Sequence, residues 1–280
     1  MPNNLFRKEL VITIIVLFVG AGIIPSMGGT VVEKHSSTTY VPLGNTLYVG
    51  GNGTGNYSKI QDAIDNASDG DTVFVYDDSS PYYENLLIKK SIKLIGENNE
   101  TTIIDGNSID DVIKIKANNV EISGFTIQNS KHEWIYAGID LSSNRNTISE
   151  NIIINNGCGI LLSGCSKNEI SHNVIESNLN GIRQFMGFPS YNVFSNNIFI
   201  DNGLSGLWLL QSRRNTISDN STVENNIVSY NNCPENQGYG IAISWCSEHN
   251  TIQNNELLNN LIGIIIYGSS ENIFSWNNIK

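Results

Sequence analysis

Apolar residues stand two apart in short runs along most of this chain, and Asn, Gly or Ser closes each run. From Ala137 the runs settle into a repeat: Gly138-Ile139-Asp140-Leu141, Asn146-Thr147-Ile148, Asn151-Ile152-Ile153, then Asn156. The phrase returns from Gly159, Gly181, Gly206, Gly240 and Gly263. The Asn opening its second run falls at 146, 168, 192, 215, 250 and 272, so the spacings are 22, 24, 23, 35 and 22 residues. Self-similarity at a fixed period of this size marks a solenoid, with one long insertion at roughly 218–238.

Helical repeats need an apolar stripe at helical spacing, whereas these runs alternate with period two, the signal of half-buried strands. Asn, Gly and Ser tolerate the left-handed backbone of tight turns. Each unit therefore predicts a coil of three short strands, every coil pairing in parallel with the next, with like side chains stacked about 4.8 Å apart. Inward columns of Ile, Leu, Val and Phe form the core, and stacked Asn amides bond to turn backbone or to each other.

The pattern before residue 137 is less regular. Thr46–Val49 reads as a strand and the Gly/Asn run 50–56 as a loop. Ser58 to about Ala67 reads as a helix, with Ile60, Ala63, Ile64 and Ala67 on one face. Such a helix would cover the open apolar end of the first coil. One irregular coil is expected through 72–76, 86–89, 92–95 and 102–104, with a loop at 77–83, and a second through 112–127. With six regular coils from 137, the total is about eight. The last coil, ending at Lys280, carries no polar or helical lid, so end-to-end self-association or a longer chain is expected.

Composition narrows the partners. Sixteen Lys+Arg against 27 Asp+Glu give a net charge of −11, which disfavours nucleic acid and anionic membrane surfaces. Arg7 and Lys8 before the apolar run 10–24, then Ser26-Met27-Gly28, read as a signal peptide over 1–28; only if uncleaved would it anchor the chain in a membrane. Residues 29–45 read as a tether, and 46–280 as the solenoid. A secreted or cell-surface location follows, where the sequons at Asn52, Asn56, Asn66, Asn99 and Asn220 become relevant. Cys165 and Cys246 share a repeat position three coils apart, about 14 Å, beyond disulfide reach, so free and mostly buried thiols are expected.

Two stretches carry a resemblance. Thr46–Gly106 (YVGGNGTGNYSKIQDAIDNASDGDTVFV…SIKLIGENNETTIIDG), followed by NVEISGFTIQNS, resembles the opening of secreted right-handed parallel β-helix proteins. The Gly-Ile-x-Leu…Asn-x-Ile-x-x-Asn-x-Ile units are similar to the repeats of the NosD-type family and of carbohydrate-acting surface proteins. The resemblance covers 46–280 and implies a right-handed parallel β-helix, in line with the handedness of parallel crossovers. Its NosD side implies copper, whose soft donors would be Met186, the cysteines and His35, His132, His172 and His249. These are scattered, and no metal or other cofactor is expected.

Sugar-cleaving enzymes of this fold need opposed carboxylates, or a calcium-binding acidic cluster with a base. In the regular coils Asp140, Asp201 and Asp219 occupy different columns. Asp77-Asp78 and Asp110-Asp111 are paired acids that read as solvated turn residues. The Gly-His-Gly and Arg-Ile-Lys signatures of polygalacturonases are missing. No catalytic residue is assigned. Two outward columns are more suggestive. One runs Asp140, Leu161, Arg183, Trp208, Ala242 and Ile265, with Phe185, Trp245 and Tyr267 beside it. Rings next to Arg and Asp are what sugars stack on and bond to, although the insertion could instead fold over Trp208. The other column, before each Asn, runs Arg145, Lys167, Tyr191, Arg214, His249 and Glu271, with Arg213 alongside, a ladder suited to an anionic polysaccharide. Glycan-contacting candidates are thus Asp140, Arg183, Phe185, Trp208, Arg145, Lys167 and Arg214. The function expected is noncatalytic glycan binding or a cell-envelope structural role. The alternatives are a polysaccharide lyase or glycoside hydrolase and, more remotely, a NosD-like copper accessory.

Overall fold

Three parallel sheets are wound by one chain, which from Thr72 onward visits them in the same order on every turn; before that it passes from Thr46–Val49 through a helix back to the same sheet. The structure, a computed structural model, describes residues 44–218, 220, 222–224 and 238–280. The expected signal peptide, nearly all of the tether and most of the insertion, including Asp219 and Cys233, lie outside these residues. The first sheet has ten strands, from Thr46–Val49 to Ile273–Ser275. The second has nine, from Tyr82–Tyr83 to Asn278–Ile279, and the third has eight, from Leu86–Ile88 to Ile262–Tyr267. That makes about nine turns, one more than the sequence pattern suggested.

The difference lies in the irregular start. Residues 77–83, expected to be a loop, contain the strand Tyr82–Tyr83, which pairs with Ile104 and Asp105. Tyr82 is an inward side chain at 4% exposure whose hydroxyl donates to the Tyr76 carbonyl at 2.7 Å. Lys93–Gly96, assigned to the same coil as Thr72–Val75, instead pairs with it in register and so begins the next coil.

The inward columns are as the alternation predicts. Ile122, Ile148, Ile170, Phe194, Ile217 and Ile252 stack in the first sheet, each fully buried. Burying each such side chain stabilises the fold by about 1.5–3 kcal/mol. The third-sheet strands carry a glycine column where the coils touch backbone to backbone. A Cβ on Gly159 would meet the Gly181 carbonyl oxygen at 2.5 Å, and one on Gly181 the Gly206 oxygen at 2.3 Å.

The asparagines form three continuous amide ladders at the corners. At the first, the backbone N–H of Asn146, Asn168, Asn192, Asn215 and Asn250 each donates to the Oδ1 of the Asn one coil further on. Asn151, Asn173, Asn197, Asn220 and Asn255 do the same at the second, and Asn156 and Asn178 at the third. Their Nδ2 groups donate to carbonyls of the preceding coil, as from Asn173 to Ile148 at 2.9 Å. Nearly every polar atom at these buried corners is thereby paired, which makes the corners stabilising rather than costly. Asn220, a sequon residue, is 1% exposed within this ladder and is thus not open to glycosylation in the folded chain.

The helix spans Ile60–Asn66, slightly shorter than expected, with Ile60, Ala63 and Ile64 buried against the first coil. It lacks a side-chain cap of its own. The β-helix supplies both ends. The Glu84 carboxylate accepts the Ile60 and Gln61 N–H groups at 2.8 and 3.0 Å. Lys90 Nζ donates to the carbonyls of Ile64, Asp65 and Ala67. Negative charge at the N-terminus and positive at the C-terminus both complement the helix dipole.

Candidate functional site

The third sheet carries the longest strands, six residues in most regular coils, and its outer face holds the expected column. Lys114, Asp140, Leu161, Arg183, Trp208, Ala242 and Ile265 follow one another in strict register. The lower part is an ionic cluster. Asp140 pairs with Lys116 at 3.2 Å, and Lys114 with Asp110 at 2.7 Å and Asp111 at 3.3 Å. Asp111 is not the solvated turn residue expected: at 7% exposure it accepts the Ala137 N–H at 2.6 Å. Burial pushes its carboxyl above the usual value, against that bond, while Asp110 is held below its usual value by Lys114 and the Asp111 N–H despite some burial.

Higher up, three rings surround one guanidinium. Arg183 lies 4.8 Å from the Trp134 ring, 4.7 Å from Phe185 and 4.7 Å from Trp208. Trp134 and Phe185 meet edge to face at 6.0 Å, and Trp208 Nε1 donates to Ser244 Oγ at 2.8 Å. Beneath them Ala137, Cys158 and Leu161 form a small apolar cluster apart from the main core, with Phe185 against it. Arg183 is only 8% exposed, and among the described residues it has no ion pair and its Nε has no acceptor. Desolvation lowers its pKa from the usual arginine value. The rings replace part of its lost hydration, about 0.5–2 kcal/mol each. Trp134, at 48% exposure, reaches this face from the segment joining the second and third sheets. Its position follows from tertiary folding of that segment, for which the repeat has no counterpart.

Of the sequence candidates, Arg183, Phe185 and Trp208 are brought together. Asp140 sits two rungs below Arg183, occupied by Lys116. Arg145, Lys167 and Arg214 stand elsewhere, on the corner leading into the first sheet, together with Tyr191, His249 and Glu271. All six have left-handed backbone, with φ of 59°, 62°, 53°, 57°, 57° and 55° in that order. Part of this ladder is internally paired. Arg214 Nη1 donates to the Tyr191 hydroxyl at 3.2 Å, His249 meets Glu271 at 2.9 Å, and Arg213 meets Glu248 at 3.5 Å without hydrogen-bond alignment. Trp245 and Tyr267 pack edge to face at 5.9 Å on the outer surface, both more than half exposed.

A cleft of about 650 Å³ at the N-terminal end was not foreseen. Tyr48 and Tyr76, stacked at 6.0 Å, wall it together with the loop 51–56, Asp77, Asp78 and Glu97. Its acids hold its own loops: Asp78 accepts the Gly51 N–H, Asp77 the Thr101 hydroxyl, and Glu97 the Asp77 N–H. Asp77 and Asp78 are thus turn residues as expected, with Asp78 exposed to solvent, and they also fasten the loops around them.

The described histidines and cysteines do not assemble. Cys158 and Cys165 are buried free thiols whose pKa values are pushed up to about 12 by burial, and Cys246 is free and exposed. His172 shares its corner with Glu150 and Asn196, as the spacing implied. Among the described residues no three His, Cys, Asp or Glu side chains converge on a point where a metal ion would sit. The described His, Cys, Asp and Glu side chains do not fit a resident copper ion; His35 and Cys233 lie outside the described residues.

The family model described as periplasmic copper-binding protein (NosD) matches residues 64–227, and the one described as right handed beta helix region matches 190–280. No curated protein matches. Among solved structures, an alginate lyase from Paenibacillus sp. str. FPU-7 aligns at 12% identity and TM-score 0.39, over 84% of this chain and 98% of its own. A GH136 lacto-N-biosidase from Eubacterium ramulus aligns at 9% identity and TM-score 0.35, over 83% of this chain and 68% of its own. With the NosD model spanning more than half of its length, the chain belongs to the NosD family, as a right-handed parallel β-helix protein.

Proposed function

We propose that this chain is a noncatalytic glycan-binding protein of the cell exterior, which holds a saccharide against the outer face of the third sheet. The observation that carries the reading is the ring trio of Trp134, Phe185 and Trp208 gathered around Arg183 on an otherwise regular surface. Aromatic faces beside a few polar groups are the usual means of holding sugar rings. The acids nearest this face are engaged with Lys114, Lys116 or the Ala137 N–H, which suits binding rather than hydrolysis. The location outside the cytoplasm rests on the expected signal peptide and agrees with the family's periplasmic description.

A glycan-array screen of the mature chain, run beside a reducing-end assay, tests this. Retention of a glycan class that Trp134→Ala and Trp208→Ala each weaken at least tenfold, without new reducing ends, is the expected result. Release of reducing ends would move the protein to the enzymes, and retention that ignores both substitutions would place the glycan elsewhere.

A further inference from the structure

Buried polar atoms almost always have partners, so those that lack one indicate what a site is built to receive. Two unpartnered buried donors lie on the strand Asn180–Phe185: Asn180 Nδ2 and Arg183 Nε. Asn180 is fully buried and Arg183 is 8% exposed. The Ser205 hydroxyl donates to Asn180 Oδ1 at 3.3 Å, which turns the amide's NH₂ away from Ser205. Cys158 links the two donors. It lies opposite Asn180 in register, and Arg183 is the foremost charge acting on its thiol. That thiol donates to the Ile160 carbonyl at 3.2 Å and, with its pKa raised, is no counter-ion. Asp111 and Asp140, lower on this face, are held by Lys114 and Lys116, and Glu133, next to Trp134, is held by Lys131. A cation and an amide donor thus lie buried three residues apart on one strand, and among the described residues neither nitrogen has an acceptor. The strand's other unpartnered atom, Gln184 Oε1, belongs to a side chain in register with the core residue Leu162 and tied to Asn215.

We infer that Asn180 and Arg183 form a receptor for an oxyanion, and that the glycan read at this face is acidic, its uronic-acid carboxylate seated on these two donors. The glycan part of this inference rests on the function proposed above; the receptor itself does not. Two donors match the two in-plane oxygens of a carboxylate, the acceptor that a guanidinium edge fits best. The surrounding rings give the sugar its stacking surface. Trp134 covers the guanidinium from a connecting segment and is half exposed, whereas Trp208 is tied to Ser244. Trp134 is therefore the ring a sugar would displace. Selectivity must be local, because a protein of net charge −11 repels acidic polymers at long range.

The experiment titrates the mature chain with oligogalacturonate and with the same oligomer fully methyl-esterified, which keeps the rings and removes the charge. The acid should bind at least tenfold more tightly. Arg183→Gln should abolish the difference, and Asn180→Asp should also do so by placing a carboxylate beside the guanidinium. Asn180→Asp should at the same time raise the melting temperature, since it pairs a buried cation; a fall would overturn the inference, because the amide would then not face Arg183. Affinity for the acid should change less than about threefold between low and physiological salt, since buried pairs are screened little. A steep salt dependence abolished by Arg145→Gln and Lys167→Gln would assign the acid to the exposed corner ladder instead and overturn the receptor. If ester and acid bind alike and Arg183→Gln changes nothing, the glycan reading stands and the receptor falls. If neither oligomer binds, sodium glucuronate is titrated against tryptophan fluorescence. An Arg183-dependent change keeps the receptor and removes the glycan, and no change up to about 50 mM, where even a weak contact of a few kcal/mol registers, overturns the receptor.

Discussion

Asn173→Ala removes the middle of one amide ladder. The Asn173 side chain makes five hydrogen bonds. Its Oδ1 accepts from Asn151 N and Nδ2 at 3.1 and 3.2 Å, and its Nδ2 donates to Ile148 O, Ser171 O and Asn197 Oδ1 at 2.9, 3.1 and 3.0 Å. The residue is 1% exposed, so water does not replace what is lost. The Asn151 N–H loses its acceptor outright, at about 1–3 kcal/mol, and the other contacts add about 0.5–1.5 kcal/mol each, partly offset because their partners keep second bonds. The net cost is about 3–5 kcal/mol, which for a domain of this size lowers the melting temperature by about 8–15 °C. Thermal unfolding followed by far-UV circular dichroism measures it. The control is Asn277→Ala at the last coil. That half-buried side chain keeps only the bonds to Asn255 and Ile252, so its loss should cost less than about 2 kcal/mol. Equal effects at 173 and 277, or less than 1 kcal/mol at 173 (about the size of a surface substitution), would refute the view that the ladder holds the coils together.

Ile170→Asp should be severely destabilising, because it buries a carboxylate between Ile148 and Phe194, while the neighbouring Glu169→Ala, at an exposed position, should shift stability by less than about 0.5 kcal/mol. Urea titration of both variants compares them, and similar midpoints would mean the strand faces are reversed. With a thiol reagent at pH 8, native protein should lose Cys246 quickly and Cys158 and Cys165 only on unfolding, since both buried thiols stay protonated far above that pH. Denatured protein should titrate four thiols, and a missing pair would reveal a disulfide. The coil from Gly263 exposes Ile273, Phe274, Trp276 and Ile279, and light scattering of the mature chain at tens of micromolar should show end-to-end association; a monodisperse monomer would exclude it.

Most of the fold could be read because its determinants repeat. Asn146 and its successors recur in sequence where they stack in space, and so do Ile148, Ile170 and Phe194. The reading is most complete from residue 137, although the strand Thr46–Val49, the helix and the coil of Ile113–Ile115, Glu121–Ser123 and Thr126–Gln128 are legible from alternation and helical spacing alone. Tyr82, in contrast, looks like part of a loop because its inward packing depends on a bond to Tyr76, not on alternation. The same reason hid the acids. Asp78 and Asp111 each accept a backbone N–H 27 or 26 residues away, a pairing no local pattern records. At the candidate site, alternation placed Arg183 and Trp208 on one outer column, but Trp134 arrives from an irregular segment. Sequence left Arg183 as an exposed contact, and only the folded chain shows how deeply the rings enclose it.

The amide ladders also have a sense. Among the described residues each Asn-to-Asn step runs from a backbone N–H to the oxygen of the next coil, so the side-chain dipoles along each corner align as in a polarised filament. A stack ordered in this way distinguishes its two faces. The coil of Asn272 and Asn277 continues the series only if whatever lies upon it, of this molecule or another, brings an oxygen acceptor to each of those corners. Head-to-tail addition preserves the alignment, and a head-to-head contact would set donor against donor. The corners would thus act as a polarity key, admitting one orientation of neighbour by electrostatics before any apolar surface is buried.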